Sequence, residues 1–196
     1  MSPDLEAKSD SSNDLIMVRH TAVADDLKGV CYGASDVALS AAGQRHAETL
    51  AVKLAALQPA LVIHSGLSRA RILAEAITAR LDIEATVDPR IAEFDFGAWE
   101  LCTWDEIFRQ GADIARIIHE PATFAPPGGE TLHAMRDRVV SWHRELKSKT
   151  SGRCLAISHG GPISTLRGVL QGAPETNWPQ LIPAYGEQVV FDGKIE

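Results

Sequence analysis

Leu15-Ile16-Met17-Val18-Arg19-His20-Thr21 decides how the rest of this chain is read. The apolar run Leu15–Val18 has the length of a short buried strand, so Arg19 and His20 fall where its C-terminal end meets a loop. In open α/β sheets that edge is where ligands bind. A guanidinium beside an imidazole suits a phosphoryl group. Arginine grips oxygens through its planar fork, and a neutral histidine offers a nucleophilic nitrogen. A histidine after a strand is more often a structural residue, so the tripeptide needs support from elsewhere in the chain.

Working outward, the strand candidates are 14–18, 61–64, 153–158 and 187–191. Helical patterns follow the first three, which predicts an α/β architecture with a largely parallel sheet. Ser40 is placed to cap a helix running to about Leu57, with Ala47, Leu50, Leu54 and Leu57 on its buried face. A second helix is expected from about Ser68 to Leu81, and Thr103-Trp104-Asp105-Glu106 has the capping-box pattern of a third. Residues 121–129 hold three prolines and two glycines and are expected to form a loop. Beyond it Leu132, Met135, Val139, Trp142 and Leu146 alternate spacings of three and four, one buried helix face. Gly160-Gly161-Pro162 marks a tight turn into a helix, which puts His159 at a strand's C-terminal edge as well. The two histidines are thus placed to face one crevice.

Composition bounds the function. A chain of 196 residues, 45% hydrophobic and 23% charged, has the makeup of a soluble globular protein with an ample core. Residues 14–196 read as a single domain, and the polar stretch 1–13 as a disordered tail without an apolar signal core. A net charge of −7 disfavours a general nucleic-acid partner, and no apolar run approaches the roughly 20 residues that span a bilayer. Three cysteines without metal-ligand spacing fit a reducing cytoplasm. The oligomeric state is left open.

Four further segments complete an ordered pattern. They are Cys31-Tyr32-Gly33 with Asp36-Val37 and Leu39; Ser65-Gly66-Leu67-Ser68-Arg69-Ala70; Glu93-Phe94-Asp95-Phe96-Gly97; and Ser158-His159-Gly160-Gly161. With Arg19-His20 they resemble the histidine phosphatase superfamily, the phosphoglycerate mutase-like proteins, over roughly residues 14 to 191. The resemblance implies a three-layer α/β fold with a largely parallel central sheet and helices on both faces. It implies His20 as the phosphorylated nucleophile, Arg19, Arg69 and His159 as the phosphate pocket, and Glu93 as the proton donor. Asp95, then Glu100, are the rival acids, and Arg71 the less favoured arginine. Thr21, Tyr32, Gly33, Glu130, Thr131 and Gly160 are expected near the substrate. No metal or other cofactor is implied.

The pattern has departures. Thr21 stands where the family tripeptide has Gly, and Asp26 where many members carry Asn. Leu73 replaces a common Thr, and Leu101 a common Gly after Trp99-Glu100. Competing motifs are poor: Asp95-Phe96-Gly97 spells a kinase tripeptide, but no glycine-rich loop or Walker A, GxSxG or HExxH pattern accompanies it. The resemblance therefore implies a metal-independent phosphomonoesterase for a small phosphorylated metabolite. One loop, Gly29–Gly33 with Asp36-Val37, looks like α-ribazole phosphatase-like proteins of the cobalamin pathway. The alternatives are a phosphoglycerate mutase-type phosphotransferase, a phosphoprotein phosphatase and a non-catalytic phosphate-binding or interaction module.

Overall fold

The apolar run becomes β1 (Leu15–Arg19), a strand with a neighbour on each side and helices above and below. The computed structural model describes residues 14–149 and 151–191; the tail expected at 1–13 lies outside them. After β1 come α1 (Ala41–Ala55), β2 (Leu61–His64), α2 (Ser68–Thr78), β3 (Ala85–Val87), α3 (Trp104–Arg109) and α4 (Arg116–His119). The chain continues through α5 (Leu132–Lys149), β4 (Cys154–Ser158), α6 (Gly160–Gln171) and β5 (Gln188–Phe191). The sheet order is β3-β2-β4-β1-β5, parallel throughout except for the edge strand β5.

Strand alternation divides the core between the two faces. Leu15 and Met17 pack with Met135, Val139 and Trp142 of α5 and with Ile163 and Leu166 of α6. Ile16 and Val18 pack with Ala47, Leu50 and Leu54 of α1 and with Leu73 and Ile77 of α2. Each fully buried aliphatic or aromatic side chain contributes roughly 1.5–3 kcal/mol relative to exposure. Helices therefore cover both faces of the sheet, the three-layer arrangement that the resemblance implies.

The capping expectations hold. Ser40 Oγ accepts from Gly43 N at 2.9 Å, and Thr103 and Glu106 form the reciprocal capping box. Three details differ from the sequence reading. Helix α2 stops at Thr78 and residues 79–82 are turns, and neither the short strand β3 nor the one-turn helix α4 is anticipated. Leu73, one of the family departures, is fully buried between α2 and the sheet.

Leu101 is the departure with a backbone consequence. Its φ is 64°, in the left-handed region that favours glycine, and its side chain is 60% exposed. That conformation costs a non-glycine residue about 1–2 kcal/mol, while little apolar burial holds the leucine there. Leu101→Gly is expected to raise the thermal midpoint by about 2–4 °C. A lowered midpoint in a calorimetric comparison would show that the leucine contributes packing that outweighs its strain.

Candidate active site

Parallel pairing of β1 with β4 places Arg19 opposite Ser158, so the residues that follow, His20 and His159, emerge side by side. Their ring centroids are 5.1 Å apart. On the other flank of β4 lies β2, whose following loop supplies Ser65 and whose next helix carries Arg69 in its first turn. Three strand ends thus converge on one point at the sheet's C-terminal edge.

Local hydrogen bonds set each group. His20 Nδ1 lies 2.7 Å from the Thr21 carbonyl oxygen. A carbonyl only accepts, so Nδ1 carries the hydrogen and Nε2 keeps its lone pair. Ser65 Oγ sits 2.7 Å from His159 Nε2 while accepting from Leu67 N, an arrangement satisfied when the hydroxyl donates to Nε2 and His159 Nδ1 carries the ring hydrogen. Arg69 donates to the carbonyl oxygens of Ser35 (2.7 Å) and Gly33 (2.5 Å), so the 33–35 loop wraps its guanidinium. Arg19 donates to Pro183 O at 2.8 Å and stacks over the Tyr185 ring.

Three donors at this centre have no partner among the described residues: Arg19 Nε, Arg69 Nε and His159 Nδ1, all buried. A buried donor left unpaired costs about 1–3 kcal/mol. Both arginines act on the His20 ring, which lies 5.1 Å from that of His159, so such donors can receive an anion's oxygens. Burial, then the charge of Arg69 and Arg19, pulls the His20 pKa from 6.5 down to about 3, despite the opposing bond to Thr21. Burial and the same cations also hold His159 well below the ordinary histidine value. Both rings are therefore neutral near physiological pH.

Glu93 approaches from the opposite side. Its Oε1 accepts from Phe94 N (2.9 Å) and from Gly161 N (3.0 Å) in the first turn of α6. A Cβ at position 161 would run into Glu93 Oε1, so a side chain there would push the carboxylate out of this place. Arg138 on α5 holds the backbone behind it, donating to the carbonyl oxygens of Arg90 (2.7 Å), Ala92 (2.8 Å) and Glu93 (3.1 Å).

Beside these groups lies a cavity of about 310 Å³, bounded by Arg19, Tyr32, Gly33, Glu93 and Gly160 among the expected residues. His20, Arg69 and His159 lie behind that wall, His20 with only 1% of its surface exposed. Three of the expected substrate neighbours have partners within the protein. The Thr21 side chain is buried and donates to Gly43 O (2.8 Å), fastening the loop after β1 to α1. Glu130 is occupied by Arg138 (2.7 Å) and by Asp95 N (3.0 Å), and Thr131 Oγ1 accepts from Ala134 N (3.0 Å), capping α5. Neither residue lines the cavity.

The rival acids have structural partners as well. Asp95 accepts from Gly97 N (2.8 Å), and Glu100 from Ala34 N (2.7 Å) and Phe96 N (3.2 Å). Residues the sequence reading missed are Ser65, Arg138, Gly161 and Tyr185. Tyr185 has its ring 5.5 Å from that of His20 and its hydroxyl 2.8 Å from that of Tyr32. Ser65 and Gly161 stood inside the quoted motifs; Arg138 and Tyr185 carried no local signal. Among the described residues no group of three or more His, Cys, Asp or Glu side chains is arranged to hold a metal. No helix of the described residues is long and apolar enough to cross a membrane.

Fold and site together define a phosphoric monoester hydrolase of the histidine phosphatase type. Residues 15–193 match the histidine phosphatase superfamily (branch 1), and the chain belongs to that family. It is 30% identical over 175 residues to a glucosyl-3-phosphoglycerate phosphatase of Mycolicibacterium vanbaalenii, covering 85% of this chain and 78% of that one. It is 28% identical to phosphoserine phosphatase 1 of Hydrogenobacter thermophilus, over 81% of this chain and 76% of the relative. Among solved structures, a mycobacterial glucosyl-3-phosphoglycerate phosphatase in complex with VO3 superposes with a TM-score of 0.80 at 28% identity, covering 91% and 92% of the two chains. The alpha-ribazole phosphatase from Shigella flexneri shares the fold, with a TM-score of 0.80 at 23% identity over 90% and 89%.

The buried neutral histidines predict an acid dependence of stability. Between pH 6.5 and about 3 the unfolded chain protonates His20 and the folded chain does not. A lowered folded pKa of this kind makes stability fall as pH drops through 6.5, by about 1.4 kcal/mol per pH unit for each such group, with no contribution well above 6.5. Urea melts between pH 7.5 and 5 are expected to show this fall, and His20→Asn to flatten it by about that slope. Equal slopes in the two proteins would mean that His20 protonates as readily in the folded state.

Proposed function

We propose that the chain is a metal-independent phosphomonoesterase for a small phosphorylated metabolite, acting through a phosphohistidine on His20. The observation that carries this reading is the neutral His20, its Nε2 lone pair free, surrounded by the unpartnered donors of Arg19, Arg69 and His159. These donors bind the phosphoryl oxygens and strengthen their hold as charge gathers in the transition state. His20 Nε2 attacks phosphorus, the P–O ester bond breaks with its electron pair on the alcohol oxygen, and that oxygen takes a proton from Glu93. Water then attacks the phosphohistidine, Glu93 accepts the water's proton, and inorganic phosphate leaves. With His20 1% exposed, the Tyr185 ring, itself 37% exposed, shifts aside as the phosphoryl group enters.

Hydrolysis is favoured over transfer between phosphoglycerates by the cavity's charges. Among the described residues Arg19 is the one cation lining it, which leaves a second phosphate without a receptor. The narrower expectation of α-ribazole 5′-phosphate draws support from the apolar lining, which suits an aromatic base; a place in cobalamin metabolism and in the cytoplasm goes with that substrate. The names of the more similar relatives point instead to glucosyl-3-phosphoglycerate, so both esters belong in a substrate panel.

Glu93→Gln tests the assignment of the proton donor. It is expected to slow esters of poorly acidic alcohols by about 10²–10⁴-fold and p-nitrophenyl phosphate far less, because that leaving group needs little protonation. Equal losses on both would move the role to another group. His20→Ala is expected to abolish turnover of every ester, and activity is expected to survive EDTA. Activity restored only by one divalent ion after chelation would overturn the metal-independent mechanism.

A further inference from the structure

The wall of the cavity away from the phosphoryl centre is apolar. Phe94, Phe96, Trp104, Ile117, Leu132 and Met135 contribute to it, and among the described residues its only charged members are Arg19 and Glu93. Arg19 is turned toward the phosphoryl end, held by Pro183 O and stacked on Tyr185. A carboxylate or second phosphate on the alcohol would lose its water here, find no cation, and face the Glu93 carboxylate. Desolvating an unpaired charge costs several kcal/mol. An apolar alcohol instead gains roughly 25 cal/mol for each Å² it buries.

Size and polarity narrow the class. About 310 Å³ is twice the roughly 150 Å³ in which a benzene ring is held, so the cavity suits an aryl-alkyl or branched group of about bicyclic bulk. One polar atom stands out in the wall. Thr165 on α6 lines the cavity, is 1% exposed, and its hydroxyl has no partner among the described residues. Its neighbour Ser164 donates to Gly161 O (2.9 Å), whereas the Thr165 hydroxyl, buried in the wall itself, keeps an unused hydrogen-bonding capacity.

We infer that this site is selective for phosphomonoesters of an uncharged, predominantly apolar alcohol that carries one hydrogen-bonding group to reach Thr165. The inference rests on the phosphomonoesterase reading and specifies its substrate class.

The test compares kcat/KM for 3-phenylpropyl phosphate and 3-phosphoglycerate, both primary phosphate esters, in wild type and in His20→Ala. The apolar ester is expected to lead by about 10- to 100-fold, the worth of one buried ring. Ile118→Lys, which places a cation on a half-buried part of the lining, is expected to narrow that ratio at least fivefold. Thr165→Val is expected to remove a preference of about 2- to 10-fold for 3-(4-hydroxyphenyl)propyl phosphate over the phenylpropyl ester. His20-dependent turnover that favours 3-phosphoglycerate would overturn the substrate class and leave the phosphatase reading standing. Absence of His20-dependent turnover on every ester would overturn the phosphatase reading itself. If Ile118→Lys does not fold, the wild-type ratio alone decides.

Discussion

The parallel pairing of β1 with β4, in the register that sets Arg19 against Ser158, is the constraint on which the site depends. It brings together two histidines 139 positions apart in the chain (159 minus 20) and fixes their separation through backbone hydrogen bonds rather than flexible side chains. His20 N bonds Ser158 O at 3.0 Å, continuing the ladder past the strand end. A slip of one residue would turn His20 to the other face. The hydrophobic alternation of β1, with Leu15 and Met17 on one face and Ile16 and Val18 on the other, opposes that slip by committing each side chain to a separate core.

Electrostatics at that junction follow from burial. Burial and two guanidiniums in a low-dielectric site make protonation of the neighbouring imidazole unfavourable, so His20 is neutral without needing a base beside it. The same cations hold unpartnered donors whose desolvation the fold sustains. Packing elsewhere offsets that cost: α1 clamps the Thr21 loop, the 33–35 carbonyls restrain Arg69, and Arg138 braces the Glu93 backbone. Polar groups that look spare in the sequence are used in this support, and the pocket itself is left largely apolar.

Legibility in the sequence divides along physical lines. Strands β1, β2 and β4 and the long helices were readable because each buries a periodic apolar face and carries a local cap or glycine turn. Strand β3 was not, since Ala85-Thr86-Val87 is only partly buried at a sheet edge and has little pattern to show. The residues that gather at the C-terminal edge of the sheet, Arg19, His20, Arg69 and His159, could be picked out because each belongs to a short ordered motif. Thr21, Glu130 and Thr131 have internal partners for a shared reason. Small hydroxyls and carboxylates near a helix start satisfy backbone donors or neighbouring cations as readily as they meet a ligand, and sequence distance to the nucleophile does not distinguish the two. Tyr185 and Arg138 were invisible because their roles exist only after distant segments meet: Tyr185 lies 153 residues from the tyrosine it bonds, and Arg138 serves carbonyl groups that every residue possesses.

The central claim is that His20 Nε2 becomes covalently bound to phosphorus. The most direct measurement is rapid quenching of the enzyme with ³²P-labelled p-nitrophenyl phosphate, followed by peptide mapping under alkaline conditions. The expected result is base-stable, acid-labile label on the peptide containing His20, formed and discharged at rates that account for turnover. Steady turnover with no label on that peptide, or label on another residue, would contradict it.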